Sequence, residues 1–229
     1  MASQLYALSI AADQPERLAF FWGELLGREI AADTDLLPGD DPGFRIRFEP
    51  GRAPRTGRNL MHFDLTSTSW EHQERTVARA LELGGRHLDI GQLPEEDHVV
   101  LADPEGNEFC VIEPGNNFLA GCGFVGALSC DGTQALGYFW SAALDWPLVW
   151  DQDQETAIRS PRGGSKITWG GPPLMPRTGT DRLRLDLIVP DDEARQSEIE
   201  RLVALGATIE DDGRLLDPDG NEFRLLTVV

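Results

Sequence analysis

His62 and Cys110 are the residues of this chain best suited to covalent chemistry. A thiol beside an imidazole can act as a nucleophile with its own base, the sulfur attacking while the ring takes the proton. Cys110 nevertheless lies between Phe109 and Val111, where a cysteine more often packs as a small hydrophobe. His72, His87 and His98 have no metal-ligand spacing and read as solvated or structural. Cys122 and Cys130 complete a set of three cysteines without a disulfide or zinc pattern, which suits a reducing cytoplasm. The glycines of Gly121-Cys122-Gly123 and Gly163-Gly164 lack the strand-to-helix setting of a phosphate-binding loop. Among six tryptophans, Trp22 and Trp140 fall on apolar helix faces. Trp146, Trp150 and Trp169 belong to strand regions where aromatic walls would suit a flat ligand, although core packing explains each equally well.

The elements that must carry these residues occur twice. Asp103-Pro104-Glu105-Gly106-Asn107-Glu108-Phe109 returns as Asp217-Pro218-Asp219-Gly220-Asn221-Glu222-Phe223. In this turn the first Asp bonds the local backbone, Pro presets φ and Gly supplies the positive φ that closes a hairpin. Phe20-Phe21-Trp22 ahead of Leu25-Leu26-Gly27 returns as Tyr138-Phe139-Trp140 ahead of Ala143-Leu144-Asp145. Leu18, Phe21, Trp22, Leu25 and Leu26 follow helical spacing, with Asp13 as the expected N-cap, Pro15 in the first turn and Gly27 as the stop. Thr68-x-x-Glu71 reads as a capping box opening a second helix that ends at Gly84. Ile199, Leu202 and Val203 mark its counterpart before Gly206. Leu5–Ile10, the alternating Phe44–Phe48 and Ser165–Trp169 read as strands. The chain is therefore a tandem duplication of strand–helix–strands units, two per half, with residues 116–120 as the linker.

The formal charge is −19, with 39 acidic against 20 basic side chains. Such a surface repels phosphate backbones and anionic headgroups, so neither nucleic acid nor membrane is an expected partner. The N-terminus lacks the basic and apolar regions of a secretory signal, and no apolar run approaches the ~18–20 residues of a bilayer span. A cytoplasmic location is expected.

The layout resembles the vicinal oxygen chelate superfamily, the glyoxalase, extradiol dioxygenase and bleomycin-resistance group, and within it the actinobacterial glyoxalase-like subgroup. Leu18–Gly27, Arg47-Phe48-Glu49-Pro50, Met61-His62-Phe63-Asp64-Leu65 and Ala102–Val111 carry the likeness. The resemblance implies an α+β fold of four βαβββ modules forming two incompletely closed eight-stranded barrels. These would divide into domains at 1–115 and 121–229. It also implies a divalent metal held by carboxylates and histidines on the first and last module strands. Those positions hold Tyr6, Arg47, His62 and Cys110 in the first half. In the second they hold Gly126 or Phe124, Thr168, Arg184 and Arg224. Only His62 matches a ligand, so no metal and no other cofactor is expected.

Arg184 and Arg224 either grip an anionic ligand or, the better reading, pair with acids such as Asp186 and Glu222. The expectation is a metal-independent small-molecule-binding protein, monomer or homodimer, with Arg47, Cys110, Thr168, Trp169, Arg184 and Arg224 against the ligand. The alternative is an isomerase, lyase or cyclase acting on a carbonyl compound. Tyr6 or His62 would then move protons while Arg47 holds an anion.

Overall fold

Four modules follow one another in the computed structural model, which describes residues 3–31, 34–39, 43–51, 57–93, 95–176 and 181–228. The first comprises β1 (Gln4–Ala12), α1 (Pro15–Leu26), β2 (Asp35–Leu36) and β3 (Arg45–Pro50). The second comprises β4 (Met61–Leu65), α2 (Trp70–Glu82), β5 (Arg86–His87), β6 (Val99–Ala102) and β7 (Glu108–Val111). The third holds β8 (Val125–Cys130), α3 (Gln134–Leu144), β9 (Leu148–Gln152), β10 (Glu155–Ser160) and β11 (Gly163–Trp169). The fourth holds β12 (Leu183–Val189), α4 (Asp192–Leu205), β13 (Thr208–Ile209), β14 (Leu215–Leu216) and β15 (Glu222–Thr227). None of the helices among the described residues is long and apolar enough to cross a membrane.

The sheets do not follow the two halves of the sequence. One runs β13-β14-β15-β12-β1-β3-β2 and joins modules 4 and 1; the other runs β5-β6-β7-β4-β8-β11-β10-β9 and joins modules 2 and 3. We call them sheet A and sheet B. The expected boundaries at 1–115 and 121–229 thus describe the repeat, while each sheet takes one module from each half. Large aromatics explain the exchange. Trp22 of α1 packs edge-on against Phe63 of β4 and Phe109 of β7, and Trp140 of α3 packs against Phe223 of β15. Each helix lies between its own sheet and the other, so both faces of these rings leave water.

The repeated hairpin locks this arrangement. Asp103 is fully buried and accepts from the Glu105 and Asn107 amides, the Asn107 side chain and Trp22 Nε1. Asp217 does the same with Asn221 and Trp140. The acid two residues on crosses between sheets. Glu105 accepts from the amides of Asp13 and Gln14 at 2.9 and 2.7 Å, and Asp219 accepts from the amide and hydroxyl of Thr133 at 2.7 and 3.0 Å. Asp13 is therefore not the side-chain cap of α1. Gln14 takes the N-cap position without a side-chain bond, and Glu105 anchors the two amides leading into the helix. At α2 the cap is Ser69, whose side chain accepts from the His72 amide, one residue later than expected.

Burial pushes the Asp217 carboxyl from its usual 3.8 up to about 6, against the hydrogen bonds of Asn221 and Trp140. A group raised in the folded state contributes stability that is complete below its unfolded pKa and lost as pH rises through the folded one. Thermal unfolding between pH 4 and 7 should therefore show a loss of about 3 kcal/mol from this residue. Asp217→Asn should flatten that slope while lowering stability overall. An unchanged slope in the variant would refute the assignment.

Candidate ligand-binding face

Alternation along the strands divides each sheet into a core face and a helix-free face. In sheet A, Leu8, Ile10, Ile46, Phe48, Leu185, Leu187, Phe223 and Leu225 enter the core. The residues between them, Ser9, Arg45, Arg47, Glu49, Arg184, Asp186, Glu222 and Arg224, share the other face. Arg47 grips Asp35 bidentately, at 2.9 Å for both Nε–Oδ1 and Nη2–Oδ2. Arg224 donates to Asp186 Oδ1 at 2.7 Å, Glu49 Oε1 at 2.8 Å and Ser9 Oγ at 2.8 Å. Arg184 pairs with Glu49 and lies 3.7 Å from Glu222. Asp186 also accepts from Ser9 Oγ at 2.6 Å. Arg45 and Arg47 cover the Tyr6 ring at 5.3 and 5.4 Å. Four arginines thus face four carboxylates in one lattice, in which Arg184 Nε is left without a hydrogen bond.

Sheet B repeats the frame with different chemistry. Ser129 Oγ donates to Asp64 Oδ2 at 2.5 Å, as Ser9 does to Asp186. Where Arg184, Arg224 and Arg47 stand in sheet A, sheet B has His62, Cys110 and Thr168. Strand register sets two adjacent rows across the helix-free face. One reads Trp150, Ala157, Thr168, Ser129, His62; the other reads Arg159, Lys166, Ala127, Asp64, Cys110. His62 Nε2 lies 3.5 Å from Asp64 Oδ1, and the His62 side chain remains 36 % exposed. Burial disfavours its charge, but hydrogen bonds to Asp64 and Cys110 outweigh this and push its pKa up to about 10. Burial also raises the Cys110 thiol, against its hydrogen bond to His62, and a protonated thiol is not a nucleophile.

The sequence candidates therefore separate. His62, Cys110 and Thr168 share sheet B; Tyr6, Arg47, Arg184 and Arg224 share sheet A. A single site combining Tyr6, Arg47 and His62 does not exist, because module 1 pairs with module 4. Trp169 belongs to neither face. It is 2 % exposed in the core beside Leu136 and Gly132, since odd positions of β11 point away from Thr168. Arg184 and Arg224 pair with acids, as their surroundings suggested. Asp64 was missed, although it lies two residues from His62 and so on the same face.

The bulges explain another difference. A register shift leaves Tyr6 as the extra residue of β1, and a matching shift leaves Gly126 extra in β8. A Cβ on Gly126 would sit 2.6 Å from Thr66 Cγ2 and 3.0 Å from Leu119 Cδ1. The linker between the halves occupies that space, so the first-strand position of module 3 cannot carry any side chain.

The divalent metal of related folds finds no seat on sheet A, where arginines would repel it. On sheet B the ligand atoms of His62, Asp64 and Cys110 lie within 4.8 Å of one another. That donor set fits one soft ion such as zinc in type and number, with Asp64 the member that no sequence pattern marks. Each donor is engaged by its neighbours, however, and module 3 faces them with the hydroxyls of Ser129 and Thr168.

A family model described as Glyoxalase-like domain matches residues 7–112 and 126–226. Among solved structures, glyoxalase I from Zea mays aligns with a TM-score of 0.65 at 11% identity, covering 99% of this chain and 92% of that one. A putative dioxygenase from Bacillus subtilis subsp. subtilis str. 168 aligns with a TM-score of 0.60 at 12% identity, covering 100% and 86%. At such identities the likeness concerns the fold alone. A search of curated proteins gives no match.

Proposed function

The chain belongs to the glyoxalase-like domain family, and we propose that it uses this fold to bind a small organic molecule on the helix-free face of sheet B without a metal. The contrast between the two faces carries the reading. On sheet A each cation has an acid partner. On sheet B the half-exposed His62 ring has Asp64 at 3.5 Å on one side and the hydroxyls of Ser129 and Thr168 on the other. Among the described residues no arginine closes the face over it, so the ring is able to donate to a carbonyl or other acceptor oxygen. Sheet A then serves as the structural partner of sheet B.

Binding is tested by titrating the full chain with carbonyl-containing compounds while following the His62 ring by NMR. Compounds that bind should perturb His62 and lose at least about tenfold in affinity on His62→Ala, the loss typical of a charged hydrogen bond. Ligands that leave His62 unmoved and perturb Tyr6 would overturn the assignment to sheet B. Product formation by any of them would make His62, with its proton held by Asp64, the acid of an enzyme.

A second reading follows from the donor set. Zinc held by His62, Asp64 and Cys110 would polarise a ligand oxygen as a Lewis acid. Elemental analysis of protein purified without chelator distinguishes the two. Substoichiometric metal is expected; near-stoichiometric zinc that disappears in His62→Ala would replace the metal-free reading.

A further inference from the structure

Lys166 is 9 % exposed on the helix-free face of sheet B, and Arg159 is its cross-strand partner on β10. Neither forms an ion pair with a carboxylate among the described residues. Their hydrogen bonds go to main-chain oxygens: Lys166 Nζ to Phe118, Arg159 Nη2 to Gly121 and Arg159 Nε to Gly164. In a chain with 39 acidic side chains this is a selective omission, since the arginines of sheet A have carboxylate partners. Burial and the neighbouring Arg159 both lower the Lys166 pKa, with only the Cys122 sulfur opposing them. A buried ammonium beside a half-buried guanidinium, with no counter-charge on either, is costly unless something anionic completes them.

A second observation points the same way. Trp150 Nε1 is buried without a hydrogen-bond partner, and the Trp150 ring meets Phe118 edge-on at 5.6 Å. Lys166 Nζ lies 4.2 Å from the centre of the same Phe118 ring. The linker thus presents an aromatic ring and an acyl oxygen to an ammonium group, next to an indole N–H that lacks an acceptor. Buried unsatisfied donors of this kind commonly mark the place of an absent acceptor.

We propose that this end of sheet B is an anion subsite for an aryl carboxylate, whose ring and carboxylate take the places of the Phe118 ring and carbonyl. The inference rests on sheet B being the ligand-binding face and names the class of ligand. A carboxylate is a stronger partner for Lys166 and Arg159 than a neutral carbonyl, which supplies the drive to displace the linker. Lys166 and Asp64 are two strands apart in one row, roughly 10 Å at ordinary strand spacing. A longer ligand would therefore place its acid on Lys166 and a polar group on His62.

The test compares phenylacetate with phenylacetamide, its neutral isostere, by calorimetry on the full chain. Phenylacetate should bind at least about tenfold more tightly, as expected when a charge-assisted bond replaces a neutral one. Lys166→Met should remove that preference while leaving the affinity for phenylacetamide within about twofold, consistent with loss of one ionic contact. Circular dichroism checks that the variant is folded; the acid-against-amide comparison on the unaltered protein stands without it. Phe118→Ala should tighten phenylacetate binding by removing the competing ring.

Equal affinity for acid and amide overturns the anion subsite but leaves a small-molecule site on sheet B. Failure of phenylacetate at millimolar concentration, while other compounds still perturb His62, overturns it in the same way. Absence of any compound that binds near His62 overturns both readings.

Discussion

Asp186→Ala is expected to cost about 3–5 kcal/mol of folding stability, the range for removing one partner of a buried ionic group. Asp186 is fully buried and serves three arginines: it bonds Arg224, and Arg47 Nη1 and Arg184 Nε lie 3.9 and 4.0 Å away. Removing the carboxylate leaves those cations facing one another with Asp35, Glu49 and Glu222 as the nearest compensation. Ser9→Ala, which removes only the 2.6 Å hydroxyl contact, should cost about 1–2 kcal/mol. Urea unfolding measures both, and a loss under about 1 kcal/mol for Asp186→Ala would show that the lattice is not structural. The counterpart on sheet B, Asp64→Ala, should be milder. Asp64 is partly exposed and faces only His62 and Ser129 as hydrogen-bonding side chains in the adjacent row. The expected asymmetry expresses the division of labour: the same Ser–Asp frame supports an ionic lattice in one sheet and an open face in the other.

Asp103→Ala should be of similar size, about 3–4 kcal/mol, because it removes several buried hydrogen bonds at once. Without the carboxylate, Trp22 Nε1 and the Asn107 side chain lose their acceptor, and the turn that presents Glu105 loses its bonds to the Glu105 and Asn107 amides. Glu105 in turn holds the start of α1 and Arg182, the latter at 2.9 Å. The variant should therefore loosen the contact between sheets as well as the hairpin. Hydrogen exchange at the amides of Asp13 and Gln14 reports this directly. Glu105→Gln should accelerate exchange there while costing less than Asp103→Ala, since it keeps the buried Asp103–Trp22 bond. If Asp103→Ala leaves those amides protected, the hairpin does not bridge the sheets in the way described.

The modules were legible because their signals are short-ranged. Helical spacing from Leu18 to Leu25, Gly27 at a left-handed stop (φ 63°), and the Asp-Pro-acid-Gly turn each depend on neighbours within a few residues. That Tyr6, Arg47 and Cys110 stand where the resemblance implies metal ligands was also legible, since it needs only position along a strand. Residues that act across the fold were less so. Glu105 binds the amides of Asp13 and Gln14 just before α1 from more than 90 positions away, where Asp13 was the expected cap. Trp169 and Thr168 are neighbours in sequence, but period-two alternation sends one to the core and the other to the helix-free face.

Sequence alone determined that the chain is a duplicated four-module α+β protein rich in acidic residues. It did so because turn chemistry, periodicity and residue type are local properties. Tertiary structure decided which modules pair, and hence that Tyr6 and Arg47 work apart from His62. It also gave His62 the company of Asp64, filled sheet A with paired charges, and laid the Phe118 linker over Lys166 and Arg159. These outcomes follow from burying Trp22 and Trp140 between two sheets and from a linker that crosses sheet B. Neither constraint is visible until the distant strands are in contact.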